Sequence, residues 1–230
     1  MSNHLRARLA ASLAEGARYP DRSAAGKVLA TLLRHLAGRS PLVVLGLPRG
    51  GLPVAYEVAV SLGAPLDVFV VRKLGVPGQE ELAMGAIASG GVRVVNRPVV
   101  DHLGITAAQV EAVARAEAEV LAERERAYRG DRPPLELAGA TVVLVDDGLA
   151  TGASMRAAAA AVRRLDPAHL VVAVPVAAAE TCEAMRAVAD EVVCGLTPST
   201  FHAVGLWYED FSQVDDRQVA EMLARAQDRD

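Results

Sequence analysis

The sequence predicts an α/β domain with a mainly parallel sheet. Apolar runs of strand length alternate along the chain with longer stretches that have a helical pattern. Two of the predicted strands end in a glycine-containing loop that opens directly onto the next helix. Ligands of such sheets bind outside the carboxyl ends of the strands, so these loops are the candidate binding region.

The composition fits a folded protein with a core built mostly from Ala, Val and Leu. The chain has 230 residues, of which 52% are hydrophobic, 3% aromatic and 23% charged. This length suits a single domain over 1–230, and the proportions of hydrophobic and charged residues argue against disorder. The net charge of −4 makes nucleic acid an unexpected partner, because a general nucleic-acid binder needs a basic surface.

Membrane and disulfide signals are weak. No apolar run is long enough to cross a membrane, and the N-terminal residues lack a signal-peptide pattern. The two cysteines, Cys182 and Cys194, are too few for a disulfide framework and lack partners at metal-ligand spacing. We therefore expect both to be small buried hydrophobes in a cytoplasmic protein.

The first part of the chain is predicted to supply two helices and one strand after an N-terminal arm. Asp21 or Ser23 can cap the first helix. Asp21 and Arg22 could contact a ligand there, although a solvated cap is the expected role. The predicted elements are the arm over 1–20, a helix over about 24–37, a strand over 42–47 and a helix over 52–62.

The loop between that strand and the second helix predicts an anion site. Its sequence is Pro48-Arg49-Gly50-Gly51, and Pro53 follows in the first turn of the helix. Backbone N–H groups and the positive end of the helix dipole would both face an anion at this point. Arg49 would add a full positive charge.

The following segment is predicted to hold a strand, a mobile loop and a hairpin. The strand covers 66–71 and closes on Arg72-Lys73, two cations that could be an anion contact or simply mark the strand end. Residues 74–82 are rich in Gly, Pro and Glu, which favours a mobile loop. Residues 83–96 favour a hairpin with 89–91 as its turn.

A long charged helix is predicted next. Thr106 and Gln109 form a capping box at its start, and the helical pattern continues to about Arg129. Its alternating Glu and Arg residues indicate a solvated face or a dimer contact. Residues 131–134 would link this helix to the next strand.

The stretch Val142–Ser154 carries the strongest functional signal. Its sequence is Val-Val-Leu-Val-Asp-Asp-Gly-Leu-Ala-Thr-Gly-Ala-Ser. The four apolar residues predict a buried strand, and the two acids that follow lead into a glycine loop before an Ala-rich helix. The loop suits a phosphate, and Asp146 and Asp147 suit the vicinal diol of a sugar. Gly148 and Gly152 would let the backbone approach the ligand. These features predict a site for a phosphorylated sugar.

The C-terminal part is predicted to complete the sheet and to add an aromatic tail. Aromatic side chains concentrate between 201 and 211, where they could stack on a flat ring or form a packing cluster at the sheet edge. The predicted elements are helices over 155–165 and 181–188 and strands over 170–176 and 191–194.

The central motif resembles the phosphoribosyl-pyrophosphate (PRPP) motif of the type I phosphoribosyltransferase family. That motif has four hydrophobic residues, two acids and a short loop ending in Thr-Gly-small-Ser/Thr, as Val142–Ser154 does. The Arg-Gly-Gly loop resembles the family's pyrophosphate loop. The resemblance implies a mainly parallel five-stranded sheet flanked by helices, with a core over 42–195, a helical insertion over about 106–129 and a small C-terminal hood over 196–230.

The resemblance also implies roles for individual residues. Asp146 and Asp147 would hold the ribose hydroxyls and, with Arg49 and Lys73, would form the catalytic group. Magnesium would be held by Asp146, Asp147 and Glu209, mostly through PRPP. The 5′-phosphate would be bound by Gly148, Ala150, Thr151, Gly152, Ala153 and Ser154, the pyrophosphate by Pro48, Arg49, Gly50, Gly51, Arg72 and Lys73, and the base by Trp207 and Tyr208.

The implied activity is transfer of a phosphoribosyl group from PRPP to a nitrogen of a nucleobase-like acceptor, with release of pyrophosphate. One residue departs from the pattern. Hypoxanthine-guanine members carry Asp where this chain has Ala150, although orotate-type members also have a small residue there. The alternatives are a PRPP-binding regulator without turnover and a related fold that acts on another sugar phosphate.

Overall fold

The computed structural model describes residues 18–227, so most of the predicted arm over 1–20 lies outside the described residues. Within this range, every predicted strand is present, although some have different ends. The strands are β1 (Leu42–Gly46), β2 (Leu66–Val68), β3 (Val71–Val76), β4 (Gln79–Ala88), β5 (Val92–Val95), β6 (Thr141–Val145), β7 (His169–Val176) and β8 (Glu191–Leu196).

The central layer is a five-stranded sheet in the order β2–β1–β6–β7–β8. Each neighbouring pair in it is parallel. Strands β1 and β6 lie side by side, and Gly46 pairs with Val145 at their carboxyl ends. The loops that follow these two strands therefore begin next to each other, and the predicted α/β class with a five-stranded parallel sheet is confirmed.

Five of the seven helices among residues 18–227 begin close to where the sequence predicts, and the helices over Arg97–His102 and Asp216–Gln227 were not predicted. Asp21 caps the first helix by accepting a hydrogen bond from Ala24 N, and the capping box of Thr106 and Gln109 is present. The first helix ends earlier than predicted and is followed by a 3₁₀ turn over Arg34–Leu36. The helices are α1 (Arg22–Leu32), α2 (Gly51–Leu62), α3 (Arg97–His102), α4 (Ala107–Arg129), α5 (Ala153–Arg163), α6 (Ala179–Met185) and α7 (Asp216–Gln227).

Two apolar clusters cover the two faces of the parallel sheet. Side chains alternate along each strand, so Val44 of β1 belongs to one cluster and Val43 and Leu45 belong to the other. Helices α1, α2, α4 and α7 pack on the Val44 face. Helices α5 and α6 pack on the opposite face. The sheet is thus buried on both sides, which explains its nearly continuous apolar strands.

The segment after β2 differs from the prediction. The predicted strand over 66–71 stops at Val68, and β3, β4 and β5 form a separate three-stranded antiparallel sheet. The predicted mobile loop over 74–82 is wrong, because it contains the end of β3 and the start of β4. Leu74 and Met84 are fully buried in the core, which the Gly- and Pro-rich composition did not indicate. The hairpin over 83–96 is confirmed.

The C-terminal segment contacts the protein in two places. A 3₁₀ turn over Val204–Trp207 and the buried Tyr208 lie near the ends of β7 and β8, in a cluster with Tyr19. Helix α7 then packs on the main core through Val219 and Leu223.

The two cysteines are bonded to each other, which corrects the expectation of two separate thiols. Cys182 of α6 and Cys194 of β8 form a disulfide, with their Cα atoms 6.6 Å apart. Helix α6 leads directly into β8 and packs beside it, so residues that are 12 positions apart become neighbours.

No helix among residues 18–227 is both long enough and apolar enough to span a bilayer. The cytoplasmic location and the homodimer stay predictions.

Candidate active site

The loop after β1 lies directly against the acidic pair that follows β6. Leu47 N donates a hydrogen bond to Val145 O at 2.9 Å, which extends the strand pairing into the loop. A Cβ at Gly51 would lie 2.9 Å from Asp146 Cα, and a Cβ at Gly50 would overlap the Asp147 carboxylate. Both glycines are therefore needed for the two loops to pack together.

In each carboxylate of the acidic pair, one oxygen accepts a hydrogen bond from the protein. Asp146 Oδ1 accepts a hydrogen bond from Asp147 N at 2.8 Å, and Asp147 Oδ2 accepts one from Arg22 Nε at 2.8 Å. The Tyr208 hydroxyl donates to Asp147 O at 2.6 Å and fixes the backbone. Among residues 18–227, no other residue donates a hydrogen bond to Asp146 Oδ2 or Asp147 Oδ1. One oxygen of each carboxylate is thus available to a ligand.

The surroundings of the acidic pair make it unfavourable for both carboxyl groups to be ionised. Burial raises the pKa of Asp146 well above its ordinary value, and the adjacent charge of Asp147 raises it further. Burial also raises the pKa of Asp147, but the hydrogen bond and charge of Arg22 oppose this rise. Among residues 18–227, the Arg22 guanidinium is the cation that lowers the pKa of both carboxyl groups. A further cationic or electron-poor group would therefore be stabilised beside them.

The loop after the acidic pair has the geometry expected of an anion site, because it ends at the N-terminus of α5. Gly152 caps the helix with φ +69°, a left-handed conformation that glycine adopts readily. Arg156 N is bonded to Gly152 O, while the N–H groups of the first turn face outward from the helix end. The first turn contains no acidic residue that would repel an anion. The Thr181 hydroxyl of α6 holds the loop by donating to Ala150 O at 2.7 Å.

Two arginines lie closer to the acidic pair and its loop than the sequence indicated, since Arg156 was not singled out and Arg22 was expected at a solvated helix cap. Arg156 donates to Thr151 O at 2.7 Å and so places a cation in the phosphate loop, four residues beyond the cap. Arg22 reaches Asp147 across a large sequence separation. Gly148 also makes room for Val204, because a Cβ there would lie 2.6 Å from Val204 Cγ1. Its approach to a ligand stays a prediction.

The first loop, between β1 and α2, is a second candidate anion site. It ends at the N-terminus of α2, whose first turn also lacks acidic residues. The Pro48–Arg49 peptide is cis. The Arg49 side chain is 40% exposed, and its Nη1 lies 4.0 Å from Asp216 Oδ1 of α7. This weak, exposed contact leaves Arg49 able to turn towards a ligand.

Arg72 and Lys73 are separated by the geometry of β3. Successive side chains of a strand point to opposite faces, and Arg72 pairs with Glu117 of α4 at 2.6 Å. This ion pair gives Arg72 a partner within the protein, and its contact with an anion stays a prediction. Lys73 is exposed, and no ion pair to it occurs in the described part of the chain, so it is the candidate cation of this strand.

The tail contributes packing more than a binding surface. The Tyr208 ring is 2% exposed and lies 5.6 Å from the Tyr19 ring and 5.1 Å from the Phe211 ring, centre to centre. Tyr208 therefore belongs to a packing cluster, which is one of the two roles predicted for the aromatic tail. Trp207 is partly exposed and could still contact a ligand. Glu209 is exposed as well. Residues 18–227 contain no group of three or more His, Cys, Asp or Glu side chains that could hold a metal, so Glu209 does not complete one with the acidic pair.

Comparison with known proteins supports this interpretation of the loops. Two Mycobacterium tuberculosis proteins, from strains H37Rv and CDC 1551 and provisionally named phosphoribosyl transferases, are each 48% identical to the chain over 208 residues. The match covers 90% of this chain and 47% of each relative, so the chain spans about half the length of these proteins.

A solved structure, that of the protein TT1426 from Thermus thermophilus, has 46% sequence identity and a TM-score of 0.82, over 90% of this chain and 98% of that one. A family model described as the phosphoribosyl transferase domain matches residues 22–206, a range that contains both anion loops and the acidic pair. The chain therefore belongs to the phosphoribosyl transferase family.

Proposed function

We propose that the protein transfers a phosphoribosyl group from PRPP to a nitrogen of a nucleobase-like acceptor and releases pyrophosphate. The observation that carries the proposal is the direct packing of the Arg49–Gly51 loop against Asp146 and Asp147, with a second helix N-terminus immediately after the pair. PRPP has the matching order of groups, a 5′-phosphate, a ribose diol and a 1-pyrophosphate.

The acidic pair would bind the ribose. The available oxygens, Asp146 Oδ2 and Asp147 Oδ1, would accept hydrogen bonds from the vicinal hydroxyls. Magnesium or positive charge on the ribose would favour the ionised carboxylates, whose hydrogen bonds are about twice as strong as neutral ones. The carboxylates would also stabilise positive charge on the ribose as the transition state becomes oxocarbenium-like.

The α5 loop would bind the 5′-phosphate. Its contributions are the N–H groups of the first turn and the exposed hydroxyls of Thr151 and Ser154. Arg156 adds a positive charge from within the same turn. The position of Arg156 supports the assignment of the loop to an anionic group.

The β1–α2 loop would bind the pyrophosphate. Its amides, Arg49 and Lys73 would neutralise the charge that develops on the leaving group. Magnesium fits the same region, because carboxylate and phosphate oxygens are its preferred ligands. It would be held by Asp146, Asp147 and the substrate phosphates and would supply further positive charge to the leaving group. The main contribution of the chain would be to position the two reacting groups.

The acceptor side is the least specified part of the site. Trp207, which precedes the Tyr208 that contacts Asp147, is partly exposed, and Ala150 provides no side chain that could move a proton. The Ala150 position is the observation that favours the second candidate function, a regulator that binds PRPP without turnover. An acceptor that needs no proton transfer from this position would fit the enzyme.

The experiment is an assay of pyrophosphate release with PRPP, magnesium and a panel of nucleobases. We expect release with one acceptor and its loss in the Asp146→Asn/Asp147→Asn variant. If calorimetry detects PRPP binding but no base supports release, the regulator is the correct function. If PRPP does not bind, both candidates are wrong.

A further inference from the structure

The side chain of Arg22 joins three parts of the chain that are far apart in sequence. Its Nε donates a hydrogen bond to Asp147 Oδ2 at 2.8 Å, and its Nη1 donates to Ser212 O, also at 2.8 Å. The guanidinium carbon lies 3.8 Å from the centre of the Phe211 ring. The side chain is 11% exposed, so these contacts are largely shielded from water.

Ordered elements fix the position of Arg22. It is the first residue of α1, and Asp21 caps this helix by accepting a hydrogen bond from Ala24 N at 2.7 Å. Gly26 lets α1 lie close to α2, because a Cβ there would be 2.8 Å from Val54 O. The helix that carries Arg22 is therefore held against the helix that begins at the first anion loop.

The contact also sets the direction of the Asp147 carboxylate. Arg22 occupies Oδ2, which leaves Oδ1 as the oxygen that can accept from a ligand. A planar guanidinium can donate to a carboxylate and to a carbonyl in fixed directions while its face rests on an aromatic ring. A lysine ammonium could keep the charge but could not keep all of these contacts.

We propose that Arg22 is a positioning residue for the transfer reaction, which orients Asp147 towards the ribose diol and ties the tail at Phe211 and Ser212 to the acidic pair. This inference rests on the function proposed above. Arg22 acts through Asp147 and does not touch the substrate. Its loss should therefore weaken the binding of ligands that contain ribose more than the binding of pyrophosphate, which has no hydroxyl groups for Asp147 to hold.

The test measures the binding of PRPP, ribose 5-phosphate and inorganic pyrophosphate by calorimetry in the presence of magnesium. For Arg22→Met, we expect the Kd values of the two ribose ligands to rise on the order of tenfold, because a hydrogen bond between charged groups is lost. The Kd of pyrophosphate should rise by a clearly smaller factor. Arg22→Lys should cause a smaller loss. Arg34→Met, an exposed arginine just after the same helix, is the matched control and should bind all probes normally.

A double-variant cycle tests whether the effect passes through Asp147. In the Asp147→Asn background, Arg22→Met should reduce PRPP affinity no further, and an additive loss would contradict the inference. Unchanged PRPP binding by Arg22→Met, or an equal loss for PRPP and pyrophosphate, would also overturn it while the proposed function stands. Absence of PRPP binding by the unchanged protein would overturn both. If Arg22→Met does not fold, normal PRPP binding by Arg22→Lys overturns the inference.

Discussion

The guanidinium of Arg129 forms a buried ion pair with Asp67, with Nε 2.7 Å from Oδ1. Their side chains are only 7% and 8% exposed, although the pair borders a cavity of about 190 Å³. Arg129 also donates to Val68 O at 2.8 Å and pairs with Glu125 at 2.9 Å. These contacts tie the end of α4 to β2 where the chain leaves the parallel sheet for β3, the strand that carries Lys73.

Replacing Arg129 by Met should lower the free energy of unfolding by about 3 kcal/mol, because Asp67 would become a buried charge without its partner. Urea denaturation measures this change. Arg126→Met is the matched control, since Arg126 lies on the same helix but is exposed, and it should change stability by no more than about 0.5 kcal/mol. Equal effects of the two substitutions would show that the ion pair does not stabilise the fold.

The neighbouring cations of β3 should behave differently when each is replaced by Met. Lys73→Met should weaken pyrophosphate binding about tenfold or more without a change in stability, because its charge is directed to the ligand. Arg72→Met should leave pyrophosphate binding intact and lower stability by up to about 1 kcal/mol, because it loses only the partly exposed pair with Glu117. Calorimetry and urea denaturation of both variants measure the two effects. A larger loss of pyrophosphate affinity for Arg72→Met than for Lys73→Met would reverse the assignment.

Thr181→Val should weaken PRPP binding about fivefold, which corresponds to about 1 kcal/mol for one hydrogen bond. The reason is that the hydroxyl of Thr181 holds the phosphate loop at Ala150 O. Thr31→Val is the control, because it also removes a bond to a backbone carbonyl, that of Val28, but within α1. Calorimetric titration with PRPP and magnesium compares the two variants. If both bind PRPP like the unchanged protein, the loop does not depend on α6.

Reduction of the disulfide between Cys182 and Cys194 should lower the free energy of unfolding by about 2–3 kcal/mol, because the bond restrains a short loop of the unfolded chain. Urea denaturation with and without a reducing agent measures the difference. The Cys182→Ser/Cys194→Ser variant should not respond to the reducing agent. Two reactive thiols in the folded, untreated protein would show that the bond is absent.

Local signals were sufficient for much of the fold. The strands β1 and β6, their glycine loops and the helices behind them follow from apolar runs and from residues adjacent in sequence. The capping box of Thr106 and Gln109 marks the start of α4 for the same reason. Asp146 and Asp147 lie immediately after β6, so their position at the carboxyl end of the parallel sheet could be predicted without information on tertiary contacts.

The antiparallel sheet could not be recognised from composition. The Gly- and Pro-containing residues 74–82 look flexible in isolation, but packing against α4 buries Leu74, and contacts with α4 and α5 order the strands. The direction of Arg72 likewise depends on which face of β3 meets α4. Adjacent side chains of a strand point to opposite faces. The position of Glu117 therefore decides that Arg72 is paired and that Lys73 is the cation that could bind a ligand.

The sequence by itself determined the fold class, the elements of the parallel sheet and the acidic pair with the two glycine loops, because each depends on residues that are close in the chain. The tertiary structure alone decided that Arg22 holds Asp147, that Cys182 meets Cys194 and that Gly50 and Gly51 make room for carboxylates. These relationships join segments that sequence patterns treat separately, and their energy comes from burial and contacts that exist only after the chain has folded.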